Sequence, residues 1–162
     1  LNPSIILGPG FWQEGSGKFF SQVASGFPFY SQGVNGFVDV RDVARSARLL
    51  AQGPQEGERY LVAGHNASYQ EVFQGIAQAL GVRTPHIRVR PWLAGLVWRA
   101  QALRSLFTGA APSVTRETAR TALQVHYYHS DKLLATRPDF QFRPLADTLR
   151  HAARCYQADH SS

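Results

Sequence analysis

The chain has 162 residues, of which 44% are hydrophobic, 12% aromatic and 17% charged, and its net charge is +6. That length fits a single domain able to bury roughly two-thirds of its surface, and so few charges beside so many apolar residues exclude an intrinsically disordered chain. The arginines are dispersed, no zinc-ligand set or basic zipper accompanies them, and no apolar run reaches the ~18 residues of a membrane span, so neither a nucleic-acid nor a membrane partner is expected.

In chain order, PSIIL at 3–7 reads as a short, fully buried strand of the parallel-sheet kind. It runs into a glycine-rich loop, GPGFWQEGSG at 8–17. Ser16 stands where it can cap a helix over 18–25, in which Phe19, Phe20 and Val23 share a face, and Gly26 stops it. FPFYSQGVNGFVDV then suggests two short strands around a Gln-Gly-Val-Asn-Gly turn. Asp39 to Val43 enters a helix whose apolar stripe is Val43, Ala44, Ala47 and Leu50 or Ala51, ended at Gly53-Pro54.

ERYLVAG at 58–64 is a further buried strand. SYQEVFQGIAQALG at 68–81 is a helix announced by a capping box, Ser68 with Glu71, and closed by Gly81. HIRVRP at 86–91 alternates as a strand does. An apolar helix over 92–107, a linker loop at 108–114 and a short helix from Thr115 to Leu123 follow. Ser130 is placed to cap a short helix, and 144–156 form a final amphipathic helix with Pro144 in its first turn. Strands alternate with helices in the first half, which indicates α/β layers, and 1–162 read as a single unit.

Few residues carry chemistry by their spacing. The loop at 8–17 matches neither a dinucleotide fingerprint nor a Walker sequence, and as spacing alone it is a surface loop. Asp39 and Asp42 flank a helix start, where capping is the ordinary role of an aspartate. His126 and His129 with Asp131 lack a third ligand at a supporting spacing, so no metal site is expected. His65 and Asn66 are equally turn residues or polar groups in a cleft. Cys155 is the sole cysteine, which makes a cytoplasmic setting the default. Trp92 and Trp98 fit packing stripes. Trp12 lies in the glycine-rich loop, off any periodic stripe, and stays open as a ligand contact.

The order of motifs says more. NPSIILGPG at 2–10, GSGK at 15–18, GVNGFVDVRDVA at 33–44 and ERYLVAG at 58–64, with the later LFTGAAPSVTRETAR at 106–120, resemble the C-terminal half of extended short-chain dehydrogenases/reductases. These form the NAD-dependent epimerase/dehydratase family, and the dihydroflavonol-4-reductase-like branch is the most similar. The resemblance runs along nearly the whole chain. It implies the C-terminal part of a Rossmann-type sheet plus a small helix-rich substrate domain, with the N-terminal dinucleotide-binding half absent. Residues 3–8 would be the sixth strand of the parent sheet.

The resemblance also implies site residues. Pro3, Ser4 and Ile5 would lie beside the nicotinamide of NAD or NADP, with Ser16 near the cofactor and Trp12 and Lys18 toward the substrate. The family's glycine fingerprint is missing. Its Tyr-x-x-x-Lys is matched by letter at Tyr128 to Lys132 alone, which follows the Asn-Pro-Ser segment where the family's pair precedes it. No catalytic residue is therefore assigned. With no methionine and a strand-like opening, the chain reads as a piece of something longer: the substrate-side portion of an NAD(P)-dependent oxidoreductase acting on a carbonyl or sugar-like small molecule. It would bind cofactor weakly or not at all by itself, would not be catalytic alone, and would tend to self-associate through an exposed sheet edge. The competing reading is a non-catalytic ligand- or partner-binding module derived from the same fold.

Overall fold

A computed structural model describes residues 1–53, 57–89 and 123–161. The expected helix at 92–107, the expected helix at 115–123 apart from Leu123, the linker between them, and Trp92 and Trp98 lie outside the described residues.

The elements run β1 (Asn2–Pro3), β2 (Ile5–Leu7), α1 (Lys18–Ala24), β3 (Phe29–Tyr30), β4 (Val34–Asp39), α2 (Val40–Ala51), β5 (Leu61–Val62), β6 (His65–Ser68), α3 (Tyr69–Leu80), β7 (Ile87–Arg88), α4 (Asp131–Thr136) and α5 (Leu145–His160). The opening strand is not one uninterrupted sheet strand. It breaks at Ser4: β1 pairs in parallel with β5, Asn2 opposite Leu61, and β2 pairs in parallel with β4, Leu7 opposite Asp39. The chain crosses the same boundary again between β5 and β6, where β6 runs antiparallel to β4.

The two strands expected around a Gln-Gly-Val-Asn-Gly turn do not form a hairpin. Val34, Asn35 and Gly36 belong to β4 itself, and β3 pairs in parallel with β7 instead. A glycine inside a strand marks close approach of a neighbour. At Gly36 a Cβ would stand 2.9 Å from Ser4 Cβ and 2.9 Å from the Tyr128 ring.

β4 is central and separates two cores. Phe37 packs with Leu7, Phe20, Val72, Phe73, Ile76 and Leu149 under α1, α3 and α5. Val38, on the opposite face, packs with Tyr60, Val62, Leu133 and Phe140 beside α4. Such alternation is the period of two expected of a strand covered on both faces.

The helix starts follow their sequence signals unevenly. Ser68 and Glu71 form the expected capping box on α3, and Gly81 closes that helix at φ 71°. Asp39 caps α2 by accepting from the Arg41 N–H at 2.7 Å. Ser16 and Ser130 do not cap. Gly17 holds the α1 cap position with no side-chain bond, and the Ser130 hydroxyl is engaged with the Ala63 backbone, accepting from N–H at 2.8 Å and donating to C=O at 3.0 Å. Nor is α2 buried along its alanines. Ala44 and Ala47 are exposed, while Asp42 and Ser46 are fully buried. The final helix runs on to His160 rather than stopping at 156.

Candidate functional site

The C-terminal ends of β2 and β4 lie side by side, and from them the chain enters the glycine-rich loop and the first turn of α2. Between loop and helix opens a cleft of about 340 Å³ lined by Ile6, Pro9, Phe11, Glu14, Ser16 and Val40 together with the loop glycines. Two of those glycines are required by close approach. A Cβ on Gly8 would meet Val40 Cγ1 at 2.5 Å, and one on Gly17 would meet the Phe11 carbonyl oxygen at 2.6 Å. Phe11 is 87% exposed and sits at φ 47°, a conformation costly for a bulky side chain. Open crevices at the carboxyl ends of parallel strands are where α/β folds bind ligands.

The expected site residues fall in three places. Ser16 lines the cleft, its hydroxyl donating to the Ile6 carbonyl and so tying loop to strand. Lys18 opens α1 behind it, half-buried. Pro3, Ser4 and Ile5 stand at the break between the sheets instead. Pro3 is exposed, Ile5 packs against the larger core, and Ser4 Oγ is buried with no hydrogen-bond partner among the described residues, next to Gly36 and Tyr128. A buried hydroxyl left unpaired in a folded chain is uncommon and costly.

Trp12 is in the core rather than open to a ligand. It is 9% exposed, packs edge-on against Phe20 and Tyr156, and donates its indole N–H to Asp159 at 2.8 Å. Its neighbour Phe11 holds the exposed position that the loop offers an aromatic ring.

An ion pair flanks Val40, the cleft-lining residue that opens α2. Arg41 grips Asp39 through two hydrogen bonds, Nε at 2.9 Å and Nη2 at 2.6 Å. Burial pushes the Asp39 carboxyl up, but the Arg41 side chain and backbone N–H outweigh it and hold the group below its ordinary value. A carboxyl with a depressed folded value stabilises the fold above its unfolded value and loses that contribution as pH falls through the folded one. The urea midpoint should therefore drop as pH is lowered below roughly 4, and drop less steeply in Asp39→Asn. Parallel curves for the two proteins would assign the acid sensitivity elsewhere.

Asp42, expected beside Asp39 as a helix-start residue, lies in the first turn of α2 but does not cap it. It accepts from the Arg143 backbone N–H at 2.8 Å and from the Arg143 guanidinium, and Arg45 Nη2 lies 3.3 Å away. Arg45 also stacks over the Phe140 ring at 4.1 Å and donates to the Gln141 carbonyl. The FVDVRDVA motif thus clamps α2 to the 140–143 segment. The expected apolar stripe places Asp42 off the inward face, and the partners that hold it inside lie at 143, far along the chain.

The remaining polar candidates are structural. The His65 ring donates from Nε2 to the Arg143 carbonyl at 2.7 Å. Asn66 acts as a substitute backbone, donating to the Tyr128 carbonyl and accepting its N–H, both at 2.9 Å. Tyr128 precedes α4 while Lys132 lies within it, paired with Glu58 and over the Tyr60 ring, so the two do not share a helix face. His126 meets Gln124, and among the described residues no three His, Cys, Asp or Glu side chains are grouped to hold a metal ion. No described helix is long and apolar enough to cross a membrane.

No family model matches the chain, and no curated protein does. Solved structures do. The crystal structure of gox2253 is 27% identical with TM-score 0.73, over 98% of this chain and 48% of that one. PA4631, a nucleoside-diphosphate-sugar epimerase from Pseudomonas aeruginosa, is 21% identical with TM-score 0.73, over 98% of this chain and 47% of its own. UDP-glucuronic acid 4-epimerase from Bacillus cereus, solved with UDP-glucuronic acid and NAD, is 11% identical with TM-score 0.66, over 98% and 44%. The chain spans less than half the length of these structures, and the likeness is one of fold. Its α/β fold is that of about half of each of these chains, as the motifs led one to expect.

Proposed function

We propose that this chain is the C-terminal, substrate-side half of an NAD(P)-dependent reductase, epimerase or dehydratase acting on a carbonyl or sugar-like small molecule. One observation carries the reading: the fold match runs along 98% of the chain yet fills only 48% and 47% of two matched structures. The sequence adds that no glycine fingerprint lies within the 162 residues.

In this reading the break between the sheets faces the cofactor and the loop at 8–17 faces the substrate. The residues at the break fit a dinucleotide's amide end. Ser4 Oγ is buried and has no partner among the described residues, and Pro3 beside it is exposed. NAD or NADP, when bound, supplies the hydride donor or acceptor. Ser4 would hold the carboxamide by hydrogen bonding, with Pro3 and Ile5 as its apolar flank. Ser16, and Lys18 at the start of α1, would meet the phosphate-bearing or substrate side. No proton-transfer residue is assigned, so the chain alone binds and orients but does not turn over.

Isothermal calorimetry on the 162-residue chain tests this with NADH, NADPH and UDP-glucuronic acid as probes. Dinucleotide dissociation constants weaker than about 1 mM are expected, a binding free energy below ~4 kcal/mol. A micromolar constant for either dinucleotide would overturn the missing-half reading. Micromolar binding of the nucleotide sugar alone would support the substrate-side assignment.

A further inference from the structure

The glycine-rich loop that walls the cleft is tethered to the far end of the chain. Trp12 lies next to Phe11, which lines the cleft, and its indole is held from three sides by packing and hydrogen bonding. Phe20 and Tyr156 pack edge-on at 5.7 and 5.1 Å, and Asp159 accepts the indole N–H at 2.8 Å. The Trp12 carbonyl accepts from Ser21 Oγ at 2.7 Å, and the Phe11 carbonyl accepts the Glu14 N–H at 2.9 Å. Tyr156 is itself stacked on His160 at 4.1 Å.

Asp159 occupies an unfavourable place for an aspartate. It stands in the last turn of α5, where the helix dipole disfavours negative charge. Helix stability therefore does not account for it, and the bond to Trp12 does.

We infer that Asp159 is a positioning residue: by holding the Trp12 indole it sets the conformation of the 8–17 loop and hence the wall of the cleft. Trp12 is buried while Phe11 beside it is 87% exposed, and the left-handed backbone at Phe11, φ 47°, is where the chain turns between the two. The last turn of α5 and the cleft are thereby coupled across 147 residues of sequence. The inference is independent of what the cleft binds.

A double-mutant cycle with hydrogen exchange tests it, using Asp159→Leu, Trp12→Phe and the double variant. Phenylalanine keeps a ring in the core and removes the N–H. Each single variant should speed exchange of the Glu14, Phe19 and Phe20 amides by about tenfold, the loss of one charge-assisted hydrogen bond, and leave α3 unchanged. The double variant should exchange no faster than either single one. Asp159→Asn, which retains an acceptor oxygen, should keep the loop protected. Loop protection unchanged in Asp159→Leu, additive effects in the double variant, or an equal rise across α3 would each overturn the inference, the last because it reports general destabilisation.

Discussion

Replacing Asp42 by alanine should lower the unfolding free energy by about 3 kcal/mol, because it strands the groups that a buried carboxylate was pairing. The carboxylate is 1% exposed and serves Arg45, three positions on, together with the guanidinium and backbone N–H of Arg143, 101 positions on. Its removal leaves the Arg143 N–H without an acceptor and releases the Arg45 and Arg143 guanidiniums, each 36% exposed, toward water. The partial exposure of the arginines moderates the loss, since they regain hydration that a fully buried cation would not. Urea unfolding followed by circular dichroism measures the effect. A change under about 1 kcal/mol, the worth of an ordinary surface pair, would show that the clamp is decorative. Arg143→Ala is the informative companion: it leaves Asp42 buried with Arg45 and the 143 backbone, so its cost should be smaller than that of Asp42→Ala.

The second large effect is expected where α3 meets α5. Leu149 is 2% exposed, and its Cδ1 sits where a Cβ on Gly75 would stand, 2.5 Å away. The glycine is a socket for the leucine, and it lets the two helices approach. Leu149→Ala should cost about 3 kcal/mol, the transfer energy of the lost methyl groups plus the cavity they leave. Gly75→Ala should also destabilise, because the buried Leu149 must shift its Cδ1 to admit the new methyl. Joined in one protein, the two changes should cost less than their sum, because the new methyl fills space that Leu149 has vacated. Strict additivity in unfolding free energy would mean that the two residues do not share that space.

Local signals in the sequence carried local structure well. The Ser68–Glu71 box and Gly81 mark both ends of α3, and Asp39 marks the start of α2, because each partner lies within a few residues. What could not be read from neighbours was set by distant ones. The alanines of α2 look like its buried stripe, yet Asp42 and Ser46 are inside, since the partners that make an aspartate welcome there are at position 143. The Val-Asn-Gly of β4 looks like a turn, but its glycine answers to Ser4 and Tyr128. Trp12 looked available to a ligand because its loop shows no periodicity, and its burial comes from Phe20 in the next helix and from Tyr156 and Asp159 at the other end of the chain. The motif order led to the α/β fold but not to the break at Ser4, because resemblance transfers positions along a chain and not the contacts each side chain makes.

The break at Ser4 has a consequence for how the molecule assembles. One short strand serves two sheets, and both of its pairings are parallel: residue 2 must find residue 61, and residue 5 must find residue 37. Neither closure is rewarded until the intervening chain has been ordered, and loop entropy is charged before either ladder contributes. α2 and α3 can gather locally, but the sheets wait on one rare encounter that brings the first residues back to the middle of the chain. Folding should accordingly be slow for a chain of this size and should advance by a single concerted step, with the first strand among the last pieces to lock.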